Sequence, residues 1–162
     1  KKARTMNIFY LDEDPEVAAI VQYNKHVVKM ILESAQMLCT AHHELLDDPS
    51  VPYKPAHVNH PSTIWCRQNT RHYFWLYEHM LALGHEYTNR YGKIHKSIIK
   101  CKEPLRLAPI NMPTYEFEQP PQCMPGEFKA KCSIEAYWNY YIGEKHIVAA
   151  KDEQIYTYEN KN

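Results

Sequence analysis

The chain has 162 residues, 44% of them hydrophobic and 23% charged, which fits one globular domain large enough to bury its own core. Nineteen Lys and Arg balance 19 Asp and Glu, so a non-specific grip on nucleic acid through excess positive charge is excluded; such a contact would need segregated charge. Five cysteines, odd in number and never spaced Cys-x-x-Cys, argue against a disulfide framework and a four-ligand zinc site.

Residues 1–5 read as a leader or tag remnant ahead of Met6, which leaves 6–162 as a single helical domain. No apolar run reaches membrane-spanning length and no signal-peptide core follows Met6, so a cytoplasmic, reduced protein is expected. Asn7-Ile8-Phe9-Tyr10-Leu11 is a short extended segment, as a strand or packed on the core. Asp14-Pro15-Glu16 is a helix start, with Asp14 at the N-cap, Pro15 at N1 and Glu16 facing the helix dipole. Helix is expected to about residue 46, with a break near Tyr23-Asn24. Prolines 52, 55 and 61 make 51–61 a loop, and helix resumes to Tyr91-Gly92 with Tyr73, Leu76, Tyr77, Met80, Leu83, Tyr87 and Tyr91 on one face. Gly92 suits the C-cap, and Gly84 marks a close approach by another element. A short basic helix is expected in 93–102. Residues 104–125 hold six of the 11 prolines and form a loop anchored by Tyr115 and Phe117. Ser133 caps a last helix through Tyr141, and the final ten residues fray. The fold class is mainly α: one compact domain with an extended N-terminal segment and a long Pro-rich loop.

At about 100° per residue, Gln22, His26, Lys29, Glu33 and Thr40 form one polar stripe. A carboxylate, an imidazole and an amine within two turns suit proton transfer, with Glu33 as acid/base and Lys29 or Lys25 as an amine nucleophile. The competing reading is a solvated face whose Lys29–Glu33 pair adds a few tenths of a kcal/mol. On the second long helix Trp75 falls on the polar side, where it either stacks on a base or plugs a second core layer. Arg90, Lys93, Lys96, Lys100, Lys102 and Arg106 form a basic run, interleaved with Tyr91 and His95, that suits phosphate contact or a solvated surface. His57, His60, His79 and His85 lack metal-ligand spacing, and no glycine-rich phosphate loop or nucleophile elbow occurs; no metal or cofactor is expected.

Met6-Asn7-Ile8-Phe9-Tyr10-Leu11-Asp12, Asn24-Lys25-His26-Val27-Val28-Lys29-Met30-Ile31, Asn59-His60-Pro61-Ser62, Arg90-Tyr91-Gly92-Lys93-Ile94-His95-Lys96 and Ala136-Tyr137-Trp138-Asn139-Tyr140-Tyr141 together resemble a group of small uncharacterised bacteriophage proteins over nearly the whole chain. That likeness implies a viral origin and no activity. A more distant resemblance carries chemistry. His26 and Glu33 with six residues between them, the long central amphipathic helix, and the tail Trp138-Asn139-Tyr140-Tyr141-Ile142-Gly143-Glu144-Lys145 are similar to the phage pyrimidine-dimer DNA glycosylases of the endonuclease V type. The resemblance implies a compact helical fold that binds damaged duplex DNA and flips a base, with the glutamate as acid/base. Family members attack with the α-amino group of a small residue exposed after methionine removal. Here Asn7 follows Met6, so the nucleophile is not conferred, and Lys25 or Lys29 would replace it.

The expected function is a phage-encoded enzyme on nucleic acid or a nucleotide, working in the infected cell's cytoplasm. Glu33, His26, Lys29 and Lys25 would be catalytic. Arg90, Lys93, His95, Lys96, Trp138, Tyr140, Tyr141, Lys145, Asn59 and His60 would contact DNA or nucleotide. The alternative is a non-catalytic phage protein that sequesters a nucleotide signal or a host defence protein. No membrane partner is expected.

Overall fold

Two indoles pin the N-terminal segment into the interior. Trp138 Nε1 donates to Leu11 O at 2.8 Å and Trp75 Nε1 to Glu13 O at 2.8 Å. Residues 7–11 are all buried in the computed structural model, which describes residues 7–145, and no strand forms among those residues. Phe9 sits at φ +54° in the left-handed region, with Leu11 N–H closing a tight turn onto its carbonyl at 2.9 Å. For a bulky residue that backbone costs on the order of 1–3 kcal/mol. Stacking of its buried ring on His26, centroids 4.1 Å apart, offsets the strain.

Helix α1 (Pro15–Ile20) starts as expected, Asp14 Oδ1 accepting from Glu16 N at 2.8 Å with Pro15 at N1. Six residues cannot sustain a helix alone. Ala18 and Ala19, fully buried, bring α1 close against α4. The chain breaks near Tyr23 and α2 (Asn24–Leu45) follows, 22 residues of which 14 are buried. It is the central helix, packed on α3, α4 and α5. Ile31, Leu38, Tyr73, Leu76, Met80 and Leu83 are fully buried in the core.

Helix α3 (Pro61–Gln68) and α4 (Thr70–Tyr91) replace the single stretch expected after Pro61. Asn69 divides them: its backbone is extended, and its Oδ1 accepts from Arg71 N at 2.9 Å and His72 N at 3.2 Å. An Asn side chain offers amides an alternative to the preceding turn, so it restarts the helix as an N-cap. Trp75 takes the core reading: it is 9% exposed and stacked on His79 at 4.9 Å. Gly92 ends α4 at φ +72°, its N–H donating to Thr88 O. Helix α5 (Lys96–Cys101) lies across α2 and α4. The close approach expected at Gly84 is made by Ile98, whose Cγ1 and Cδ1 would lie 2.8 Å from a Cβ placed there.

The Pro-rich loop is tied down at His72, Nε2 of which accepts from Glu118 N at 3.0 Å, while Trp65 Nε1 donates to Glu118 O at 2.8 Å. Phe117 packs edge-on against Trp65 and His72. Tyr115, the other expected anchor, is 65% exposed, because the indole and imidazole already hold the loop one residue beyond Phe117. Helix α6 (Ser133–Tyr140) has Cys132 at the N-cap with no side-chain bond. Ser133, expected as the cap, instead donates to Pro120 O at 2.6 Å and fastens α6 to the loop. A π turn (Tyr141–Lys145) follows. The expected leader and frayed tail lie outside the described residues. No described helix is long and apolar enough to cross a membrane.

Candidate functional site on the inward face of α2

The polar stripe of α2 faces inward. His26 is 7%, Glu33 1% and Thr40 0% exposed, as is Gln22 at 1% just before the helix; Lys29 alone emerges, its side chain 45% exposed. The solvated-face reading therefore fails for this stripe, because α3, α4 and α5 all pack around α2 and leave only positions such as Lys25, Val28 and Lys29 open. The i,i+4 pair does form, Lys29 Nζ to Glu33 Oε2 at 3.5 Å, and joins a buried carboxylate to a surface amine.

His26 is enclosed by aromatics. Its Nδ1 lies 2.6 Å from Tyr141 Oη, Phe9 stacks on its ring, and Tyr23 stacks on Tyr141 at 4.1 Å. Tyr23 Oη also donates to Tyr141 O at 3.3 Å. Tyr141 thus covers His26, and Trp138 lies edge-on to Tyr141 at 6.1 Å. Tyr140 turns away and packs on Phe128 at 5.5 Å. Along α2 the Cα atoms of His26 and Glu33 are about 10 Å apart at seven residues' rise. Phe9 and Tyr23 complete this cluster and were not singled out by the sequence; nothing in a sequence marks a left-handed Phe.

The remaining candidates fall into two groups. Lys25, Lys93 and Lys96 are exposed. His95 hydrogen-bonds the Val28 carbonyl, so the start of α5, with Lys93 and Lys96, lies beside the turn of α2 that carries Lys25 and Lys29. Arg90 is differently placed. Its Nε donates to Glu86 Oε1 (3.2 Å), Nη1 to Gln22 O and Asn24 Oδ1 (both 2.9 Å), and Nη2 to Ile20 O and Glu86 Oε1 (both 3.0 Å). All five guanidinium donors are engaged inside the protein, where they close the α1 C-terminus onto α2 and α4. His60 and His95 are helix caps, their Nδ1 atoms accepting from Ser62 N at 3.1 Å and Ser97 N at 3.0 Å. Asn59 is exposed in the turn before α3, and Lys145 ends the π turn.

Burial holds several imidazoles neutral. His79 Nδ1 donates to Pro15 O at 2.9 Å and its Nε2 accepts from Gln22 Nε2 at 3.0 Å; desolvation pulls its pKa down to about 4. Desolvation also lowers His42, His60, His72 and His95. Among the described residues no group of three or more His, Cys, Asp or Glu side chains is placed to hold a metal ion. Compared with protein-family models, curated proteins and solved structures, the chain matches none.

Proposed function

We propose that the protein is a phage-encoded acid/base enzyme that cleaves the N-glycosidic bond of a nucleotide unit in nucleic acid or a free nucleotide, with Glu33 as the reacting carboxylate. The observation that carries this reading is a glutamate 1% exposed on the inward face of the central helix, paired at 3.5 Å with the half-exposed Lys29. A carboxylate withdrawn from water is costly unless paired, and such groups concentrate at functional sites. In the proposed step water attacks C1′ as the C–N bond breaks. Glu33 takes the water's proton and passes it to the base, which departs with the bonding pair. Tyr141 holds His26 on the same face, and exposed Lys25, Lys93 and Lys96 supply cations for phosphate.

The test is release of free base from a panel of free nucleotides and of single- and double-stranded oligonucleotides carrying damaged pyrimidines and purines. Wild type is expected to release base, and Glu33→Gln to lose release by at least about a hundredfold, the usual range for a general acid/base. Borohydride trapping on abasic DNA separates this water route, which leaves no adduct, from attack by the amine of Lys25 or Lys29, which forms one. Undiminished release by Glu33→Gln, or release from no member of the panel, sinks the reading. The second reading is a non-catalytic protein that binds a nucleotide or host protein; the surface hollows around His85, lined by Asp14, Glu16 and Glu78, favour its host-protein form. It expects Glu33→Gln to keep its function.

A further inference from the structure

Three hollows of the described surface lie in a row along α4. One of about 290 Å³ and one of about 510 Å³ share Glu16, Ala82 and His85; a third, of about 270 Å³, continues past Leu81 and His85 to Ile94 and Ile98. Their common floor is one face of α4: Glu78, Leu81, Ala82, His85, Glu86 and Asn89, at spacings of three and four. That floor is about 16 Å long at 1.5 Å per residue. Helix α1 forms one wall with Glu16 and Ile20, and Ile94 and Ile98 form the other. Ala82 keeps the floor low, and bare Gly84 lets Ile98 press into α4. Ile20 and Ile94 are 56% and 59% exposed, more apolar surface than a solvated trough wants.

Charge selects the occupant. Asp14, Glu16, Glu78 and Glu86 line the α1 end, and Lys102 lies at the other. Glu86 is already paired with Arg90, which leaves Asp14, Glu16 and Glu78; three carboxylates repel a phosphate polymer and an anionic membrane and attract a cationic chain. Main-chain addition needs a sheet edge, and no strand occurs among the described residues. Polyproline docking needs an aromatic groove, and no Phe, Tyr or Trp lines this one. A helix floor between two aliphatic walls is the shape that receives another helix. The basic helix α5 of a second copy, six residues and about 9 Å long, is too short to fill it.

We propose that this trough docks an amphipathic helix of a partner protein, with aliphatic side chains at i, i+3/i+4 and i+7 and Lys or Arg on the flank facing α1. The proposal is independent of the chemistry at Glu33. It is tested with a displayed library of helical peptides of about 18 residues, enough to cover the floor at 1.5 Å per residue. Peptides are selected on the wild-type protein and then measured on His85→Trp, which fills the trough, and on Glu16→Lys/Glu78→Lys. All three replaced residues are exposed, so the variants should fold, and circular dichroism checks it.

Selected peptides are expected to carry the aliphatic stripe and basic flank and to bind both variants at least about tenfold more weakly than wild type. They should protect amides of 78–89 from exchange and bind Glu33→Gln as they bind wild type. Equal binding to the variants, acidic flanks, or no enriched peptide overturns the proposal. So does a wild-type oligomer in sedimentation that His85→Trp dissociates, since the occupant would then be a second copy.

Discussion

Replacing Arg90 separates two roles that sequence alone could not: a phosphate contact, or the brace of the α1–α2 junction. Arg90→Ala removes five hydrogen bonds to Ile20 O, Gln22 O, Asn24 Oδ1 and Glu86 Oε1. It also leaves Glu86, whose side chain is only 19% exposed, without its cation. Breaking a buried pair from one side costs roughly 3–5 kcal/mol, and partial water access to Glu86 places this case near the lower end, about 3 kcal/mol. With a urea m-value of about 2 kcal/mol/M, the unfolding midpoint falls by about 1.5 M. Arg90→Lys keeps the charge but not the planar fork, and one ammonium cannot span four acceptors, so about half of that loss is expected. A phosphate contact predicts the opposite pattern, because lysine serves phosphate well. Urea unfolding followed by circular dichroism, beside oligonucleotide binding, decides. Arg90→Ala within about 0.5 kcal/mol of wild type would refute the brace, since changes that small are what uninvolved surface positions give.

Acid should unfold the protein through its buried and half-buried histidines. His79, His72, His42, His60 and His95 have folded pKa values below the ordinary 6.5, so the unfolded chain binds more protons below that value. Stability is whole above pH 6.5 and lost as pH falls towards about 4, with His79 alone contributing on the order of 3 kcal/mol. Urea midpoints at about pH 7.5, 6 and 4.5 read this directly, and a flat profile would contradict the neutral assignment. Gly84→Ala gains about 1 kcal/mol of helix propensity but drives a methyl into Ile98, and overpacking costs about 1–3 kcal/mol. A net loss near 1 kcal/mol is expected, with faster amide exchange in α5, and a stabilised variant would show that Ile98 yields freely.

Much of the fold is local and was legible. The Asp14-Pro15 start, the Gly92 stop and the close approach at Gly84 each follow from one residue's cap, backbone or missing side chain, whereas the expected break near Tyr23 forms with no side-chain cap bond. Mainly helical periodicity gave the class. Capping failed where two roles compete: Asn69 restarts a helix that periodicity ran straight through, and Ser133 bonds the loop while Cys132 holds the cap position.

Burial of polar residues was not legible, because a polar stripe reads the same whether water or protein covers it. Packing of three helices around α2 decided that His26 and Glu33 lie inside while Lys29 looks out. Tertiary contact likewise decided that Arg90, in a run of outwardly similar cations, turns its guanidinium onto helix-end carbonyls seventy residues away in the chain. Sequence determines what each side chain can do; which partner satisfies it depends on the elements that the fold brings alongside.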